Sequence, residues 1–196
     1  MAKLSRAGLK STRDFKNVLD TMNVASERTG LVAGSGFSSA ALFKSWTEEA
    51  GTVTTTHLLV DLTGIRSTAA DDIIGNDGAA SANIGQYTTA VMGTLFAVHM
   101  YCIEAPAAGD PDINLSFADE ATLAEDAALS TGTNNGVLLN NGDSSAGSEF
   151  WAITGFPAAN QYLYFSAGAA TDADYTAGVF HIKFYGTTDT DVVRQA

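Results

Sequence analysis

A nine-residue run near the C-terminus, GVFHIKFYG (178–186), alternates between two kinds of side chain. Successive side chains of an extended chain point to opposite faces, so the two kinds would lie on opposite sides of a strand. One face would carry Phe180, Ile182 and Phe184, and the other His181, Lys183 and Tyr185. This period predicts a strand of a sheet that has one buried face.

Five further short runs have the composition of strands, and each is bounded by Gly, Asn, Asp, Pro or Ser clusters. They cover residues 53–62, 93–104, 112–117, 147–155 and 161–166. The run LFAVHMYCI (95–103) is apolar on both faces, which predicts a central strand covered on both sides. Only ATLAEDAAL (121–129) has a helical composition. Because strands and helices do not alternate, the sequence predicts a mainly β fold, an antiparallel β-sandwich or a jelly-roll-like barrel.

Composition narrows the class of protein further. Of the 196 residues, 45% are apolar and 16% are charged, which excludes a disordered acidic polymer. The sequence contains neither a membrane-spanning apolar stretch nor the apolar part of a secretion signal, so we expect a soluble protein that is not exported by the Sec pathway. The one cysteine, Cys102, is predicted to be a small buried hydrophobic residue, with a catalytic thiol as the alternative.

The N-terminal segment differs in charge from the rest of the chain. Residues 1–16 contain five basic residues and one aspartate, a net charge of +4, whereas the other 180 residues contain five basic and 21 acidic residues, a net charge of −16. A body this acidic repels nucleic acid and anionic membranes, while a basic arm can bind an acidic protein surface or nucleic acid. We therefore predict a basic arm (residues 1–30) ahead of a β-sandwich domain (residues 31–196).

Within the arm, STRDFKNVLDTMN (11–23) has apolar residues at helical spacing. The positions i, i+3, i+4 and i+7 are held by Phe15, Val18, Leu19 and Met22. Such a stripe on a short amphipathic helix needs a surface, which could belong to its own domain or to another subunit; a solvated tail would not need it. We predict that the arm binds a partner through Lys3, Arg6, Lys10, Arg13, Phe15, Lys16, Val18, Leu19 and Met22.

Two polar segments are candidate loops or ion sites. Residues 66–86 could offer oxygen ligands from Asp71, Asp72, Asn76 and Asp77. Their spacing does not match that of a calcium loop, and the glycines lack the pattern of a phosphate loop, so we predict an exposed connector between two strands. TGTNNGVLLNNGDSSAGSE (131–149) contains Asn-Gly twice, which predicts type I′ hairpin turns or exposed loops.

No group of residues has the spacing of a catalytic or metal site. The histidines His57, His99 and His181 lie in separate predicted strands, so they could share a metal only if the fold brought them together. GSGFSS (34–39) does not match a nucleophile elbow. Seven aromatic residues could form a sugar-binding platform, although aromatic residues in strands more often form core or interface: Trp46, Phe150, Trp151, Phe156, Tyr162, Tyr164 and Phe165. We predict no catalytic residue, no cofactor and no metal ligand.

Seven phrases of the sequence, taken in order, resemble structural proteins of marine tailed bacteriophages. They are LLVDLTGI (58–65), DIIG (72–75), IGQ (84–86), IEAP (103–106), DINL (112–115), QYLYFSAGAA (161–170) and YTAGVFHIKFYG (175–186). None is a catalytic or ligand motif, and the resemblance depends on their order across residues 58–186. The N-terminal arm lies outside it.

The resemblance implies a virion protein, made in the host cytoplasm, that acts as a capsid cement or decoration protein on the outer surface of the head. Such proteins are commonly rich in β-structure, often trimeric, and extend a terminal arm across capsid subunits. We expect the major capsid protein and further copies of this chain as partners, with no nucleic acid, membrane or small-molecule substrate, and no enzymatic activity. The alternative is a head-fibre or tail-associated module that binds a receptor or glycan. A polysaccharide hydrolase ranks third, and a lattice subunit lacks the expected long helix.

Overall fold

The computed structural model describes residues 28–37 and 43–188. The elements in chain order are β1 (Arg28–Thr29), the 3₁₀ turn Ser35–Phe37, β2 (Phe43–Ala50), β3 (Val53–Asp61), β4 (Arg66–Ser67), β5 (Gly85–Gln86), the helical turn α1 (Thr89–Met92), β6 (Thr94–Ala107), β7 (Ile113–Ala118), the 3₁₀ turn Leu129–Thr131, β8 (Gly136–Leu139), β9 (Glu149–Ala152), β10 (Tyr162–Ala167), β11 (Ala173–Asp174) and β12 (Ala177–Thr187). The helix predicted within residues 11–23 lies outside the described residues.

The strands form two larger sheets and one short ribbon. The larger sheet has six strands in the order β1-β2-β3-β12-β6-β9, the smaller has four in the order β5-β10-β7-β8, and β4 pairs with β11. The paired strands of the described residues run antiparallel. The predicted mainly β, antiparallel class is confirmed, and the arrangement is consistent with a β-sandwich.

The main core lies between the two larger sheets. β12 contributes Phe180, Ile182 and Phe184, and β10 contributes Leu163 and Phe165, all with fully buried side chains. The rings of Phe165 and Phe180 lie 6.1 Å apart, centroid to centroid, across the sheet interface. Burying each such side chain stabilises the fold by about 1.5–3 kcal/mol. The apolar face predicted for the last strand is therefore the inner face of the six-stranded sheet.

A second, smaller core covers the other face of the four-stranded sheet. Tyr164 of β10 is fully buried there in one cluster with Ile73, which lies between β4 and β5, and Leu123, which lies after β7. Its hydroxyl donates a hydrogen bond to the carbonyl oxygen of Glu120. The four-stranded sheet is therefore covered on both faces, by the six-stranded sheet and by the protein's own loops.

The segment 66–86 is not an exposed connector, so that prediction was wrong. Ile73, Ile74 and Ile84 are 1%, 0% and 0% exposed. The backbone N–H groups of Ile74 and Ile84 donate to carbonyl oxygens of β10 at 2.9 and 2.8 Å. The aspartates and glycines suggested a solvated turn, but the isoleucines between them require burial, and the segment packs along the four-stranded sheet.

The helix predicted over residues 121–129 is also wrong. The backbone of this segment pairs with the 66–86 segment instead, since Ala82 N–H donates to the Leu123 carbonyl and Ile73 N–H donates to the Ala127 carbonyl, both at 2.9 Å. These long-range hydrogen bonds replace the local bonds of a helix. Packing against the sheet has outweighed the helix propensity of Ala, Leu and Glu.

All six predicted strands are present, as β3, β6, β7, β9, β10 and β12, with ends that differ by a few residues. β2 and β8 were missed in the sequence analysis, as were the two-residue strands β1, β4, β5 and β11. β8 lies in the segment predicted to be hairpin turns or exposed loops, yet its Leu138 and Leu139 are buried. Neither Asn-Gly pair forms a type I′ turn, because that turn needs positive φ at both residues and Asn135 and Asn141 do not adopt it.

Candidate functional site on the outer sheet face

The six-stranded sheet has one face that neither hydrophobic core of the described residues reaches. We call it the outer face: the side chains of β2, β3, β12, β6 and β9 that point away from the four-stranded sheet. In β6, Val98 and Met100 point into the core, whereas His99 and Tyr101 lie on the outer face. The prediction that β6 is central is confirmed, but the expected core on its second side is absent from the described residues.

A row of five side chains crosses the outer face, one from each strand. Lys183 of β12 lies at the centre, opposite His57 of β3 on one side and His99 of β6 on the other. His57 in turn lies opposite Trp46 of β2. His99 lies opposite Trp151 of β9. Because directly opposite residues have Cβ atoms about 4.5–5.5 Å apart, neighbours in this row are close enough to interact.

Each histidine of the row is stacked against a tryptophan. The Trp46 and His57 rings lie 4.6 Å apart with an interplanar angle of 3°. The Trp151 and His99 rings lie 4.1 Å apart with an angle of 11°. The stacking leaves both histidines only 9% exposed, although they lie on the outer side of the sheet. The row is thus nearly symmetric about Lys183.

A glutamate accompanies each stacked pair. Glu48 Oε2 lies 3.7 Å from His57 Nε2, and Glu149 Oε2 lies 3.9 Å from His99 Nε2. Both distances exceed that of a hydrogen bond, and both Nε2 atoms are buried without a hydrogen-bond partner among the described residues. The glutamates therefore act on the histidines mainly through their charge.

The third histidine joins the row from the same strand as Lys183. His181 Nε2 lies 3.0 Å from His57 Nδ1, so one ring donates a hydrogen bond to the other. Burial lowers the pKa of His181 to about 4, with further lowering by His57, Lys183 and His99. Two positive charges this close would repel, so the pair is neutral at neutral pH.

The pKa values of the two stacked histidines are shifted in the same direction as that of His181. Burial lowers the pKa of His57 and of His99 below the usual 6.5, Lys183 lowers it further, and the nearby glutamates oppose the change. At neutral pH the centre of the outer face therefore contains three neutral imidazoles around one lysine.

Large apolar side chains stand exposed around this row. Trp151 is 55% exposed, Phe96 43%, Val53 37%, and Ile153, directly after β9, is 74% exposed. Tyr185 joins two of them, with ring centroids 6.2 Å from Trp151 and 6.3 Å from Phe96. Exposed apolar residues that gather on one surface, with charged residues beside them, mark interaction sites.

Acidic groups outnumber basic ones on the outer face. The register places two lysines and four carboxylates on it: Lys44, Lys183, Glu48, Asp61, Glu104 and Glu149. With neutral histidines the face carries a net negative charge. A partner that combines apolar and cationic groups would complement it.

The arrangement does not provide a metal site. Across residues 28–37 and 43–188, no group of three His, Cys, Asp or Glu side chains is placed to hold a metal ion. His57 and His181 are bonded to each other, which occupies one nitrogen of each ring. The pairing of the strands brings the three histidines together, which the sequence alone could not show. They form a stacked aromatic cluster instead of a set of metal ligands.

The other sequence candidates have structural roles. Asp72 Oδ2 accepts hydrogen bonds from the Thr68 hydroxyl at 3.0 Å and the Ala69 N–H at 3.1 Å, which closes a turn in the 66–86 segment. Cys102 is a free, fully buried cysteine whose thiol donates to the Glu104 carbonyl at 3.2 Å. Burial raises the pKa of this thiol, so the prediction of a buried hydrophobic residue is confirmed.

The seven aromatic residues do not form one platform. Phe165 lies in the main core, Phe150 and Phe156 pack against its edge, and Tyr162 and Tyr164 belong to the second core. Of the seven, only Trp46 and Trp151 lie on the outer face. These two were not grouped with Tyr185 or with the histidines in the sequence analysis. The predicted arm contacts, Lys3, Arg6, Lys10, Arg13, Phe15, Lys16, Val18, Leu19 and Met22, lie outside the described residues.

Comparisons of the chain with protein-family models, with curated proteins and with solved structures found no match. Among the described residues, no helix has the length and apolar character needed to cross a bilayer.

Proposed function

We propose that this protein is a virion structural protein, a capsid cement or decoration protein that binds the outside of the major capsid protein lattice. The observation that supports the proposal is the outer face: an apolar, aromatic surface on a body whose other sheet is covered by its own loops. The ordered phrases of residues 58–186, which resemble phage structural proteins, support the same class. Its role would be to stabilise the mature head, without catalysis and without a cofactor.

The arm and the outer face would act together. β1 pairs with β2 at the edge of the six-stranded sheet, where Thr29 lies opposite Trp46. Residues 1–27 therefore join the body at the border of the outer face. We propose that the basic arm contacts acidic patches of neighbouring capsid subunits while the body binds beside it. Several weak contacts on one tethered chain add up through their high effective concentration.

The finer structural assignments belong to the same proposal. We propose a β-sandwich or jelly-roll-like body, an N-terminal arm that contains a short amphipathic helix, and assembly as a homotrimer around a symmetry axis of the head. The homotrimer is testable by light scattering coupled to size-exclusion chromatography of the purified full chain.

A binding experiment tests the capsid assignment. Heads that lack this protein are incubated with the full chain, with a chain lacking residues 1–25, and with a control lacking residues 189–196, and then pelleted. We expect the full chain and the control to sediment with heads in numbers comparable to the major capsid protein. The 1–25 deletion should remain in the supernatant. Equal decoration by the deletion variant would remove the arm from the proposal, and no decoration by any variant would remove the capsid assignment.

A second candidate function is a head-fibre or tail-associated module that binds a receptor or glycan. Trp151 favours it, because this exposed ring is held by His99 beneath it and lies at only 11° to the ring of Tyr185. A fixed, exposed aromatic ring can stack on a sugar. Copy number separates the two: a tail or fibre component would occur in far fewer copies per particle than the major capsid protein.

A further inference from the structure

We propose that, in the isolated protein, residues 3–22 fold back over the outer face and cover it with the apolar stripe predicted for that segment. The occupant of the face is thus the protein's own N-terminal segment. This goes beyond the proposed function, because it concerns the protein before it meets any partner. On binding to a capsid, the apolar stripe would then leave the outer face and pack against the capsid protein instead.

The position of β1 makes this docking possible. The chain enters the sheet at Arg28, opposite Thr47, and Thr29 lies beside Trp46 at one end of the aromatic row. Residues 23–27 can span about 17 Å when extended. A helix over residues 12–22 would be about 17 Å long. From β2 to β9 the sheet is about 19 Å wide, since neighbouring strands lie about 4.8 Å apart. The segment is therefore long enough to reach every exposed aromatic ring of the face.

Charge favours this occupant over a second copy of the body. Residues 3–22 contain five basic and two acidic residues, a net charge of +3. The outer face is net negative, with Glu48 and Glu149 beside the two stacked pairs. Two outer faces brought together would oppose like charges, whereas the cationic segment complements the face.

The apolar parts also match. The stripe predicted for Phe15, Val18, Leu19 and Met22 would occupy one face of a helix. The exposed rings of Trp151 and Phe96, with Tyr185 between them, offer an apolar surface for it. Covering exposed apolar surface stabilises the covered state by roughly 25 cal/mol for each Å² removed from water. Docking would leave both the stripe and the rings shielded.

The two tryptophans of the chain both lie on the outer face, so tryptophan fluorescence, excited where tyrosine does not absorb, reports on it alone. Acrylamide quenching would be compared between the full chain, the stripe variant V18D/L19D, and the control N17D/T21D, which adds the same charge away from the stripe. We expect faster quenching and a red-shifted emission in the stripe variant only. Equal quenching in all three proteins would overturn the proposal.

A reciprocal experiment observes the segment rather than the face. Tryptic cleavage after Lys16 would be timed in the full chain, in W151E, and in the control V137E, whose residue is also exposed but lies in the four-stranded sheet. We expect faster cleavage in W151E alone. If W151E and V137E are cleaved at the rate of the unchanged protein, the segment is not held by this face.

Dilution decides between the chain's own segment and that of a neighbour. In the full chain, the protection of Lys16 from trypsin should be independent of protein concentration. Size-exclusion chromatography at the same concentrations reports the oligomeric state. Protection that disappears on dilution together with an oligomer would overturn docking within one chain. These experiments use isolated protein, so a failure to bind capsids leaves them unaffected, and their failure leaves the capsid assignment unaffected.

Discussion

Lowering the pH from 7.5 to 5 should destabilise this protein through His181. In the folded state burial, followed by the neighbouring His57, Lys183 and His99, lowers the pKa of His181 to about 4, compared with 6.5 for an unperturbed histidine. Between these two values the unfolded chain binds a proton that the folded chain excludes. Stability is therefore fully present above pH 6.5 and is lost progressively as the pH falls toward 4.

The size of the effect follows from the two pKa values. A shift of one pKa unit corresponds to about 1.4 kcal/mol, so the whole shift would amount to roughly 3 kcal/mol once the pH is below 4. At pH 5 about three fifths of that would be lost. His181 is partly accessible to water, which screens its neighbours, so we expect about 1 to 2 kcal/mol at pH 5.

The free energy of unfolding is compared between two pH values and between two proteins. Urea unfolding is followed by circular dichroism at pH 7.5 and at pH 5, for the unchanged protein and for His181→Gln. Glutamine can still bond to His57 but does not titrate, and the carboxylates common to both proteins cancel. We expect the unchanged protein to lose about 1 to 2 kcal/mol more than the variant between the two pH values.

His99→Gln is the matched control. It also removes an imidazole from the outer face. Burial lowers the pKa of His99 as well, but Glu149 opposes that lowering, so the variant should retain most of the pH dependence. If His181→Gln and the unchanged protein lose the same stability between pH 7.5 and 5, then the buried, proton-excluding state of His181 is refuted.

Three further substitutions test the packing. Phe180→Ala should destabilise by about 3–5 kcal/mol, because it empties a fully buried site between the sheets; urea unfolding measures it. Tyr175→Phe removes a buried hydroxyl that donates to the Asp110 carbonyl at 2.8 Å, so thermal unfolding should report a loss of about 1–2 kcal/mol. Gly186→Ala would place a Cβ 1.8 Å from the Met92 carbonyl oxygen. Unless α1 shifts, the free energy of unfolding measured in urea should therefore fall by about 1–3 kcal/mol.

The sequence predicted burial correctly where the alternation within a single strand determines it. In β12 the alternation alone assigned Phe180, Ile182 and Phe184 to the core, since burial on one face depends only on period. β8 was missed because Asn-Gly pairs on both sides indicated turns, while its two buried leucines are too few for a period. The burial of Ile73 and Ile74 was missed for a similar reason: tertiary hydrogen bonds fix that segment, and no local pattern encodes them.

The candidate site could be predicted only in part. Alternation assigns His181 and Lys183 to one face of β12, and the same argument assigns His57 to one face of β3. Their meeting depends on strand order and register: β12, the last of the named strands, pairs between β3 and β6, which brings His57 and His99 to either side of Lys183. Neither order nor register can be read from a single sequence, so the aromatic row became visible only in three dimensions.

The place of β12 in the sheet also bears on biosynthesis. This strand is the last of the named elements to leave the ribosome, yet it supplies the middle of the six-stranded sheet. Until residue 187 has emerged, β3 and β6 each present an unpaired edge that another nascent chain could join. Formation of the complete sheet is therefore limited by long-range strand pairing, and the chain is most prone to aggregation in the interval before that final insertion.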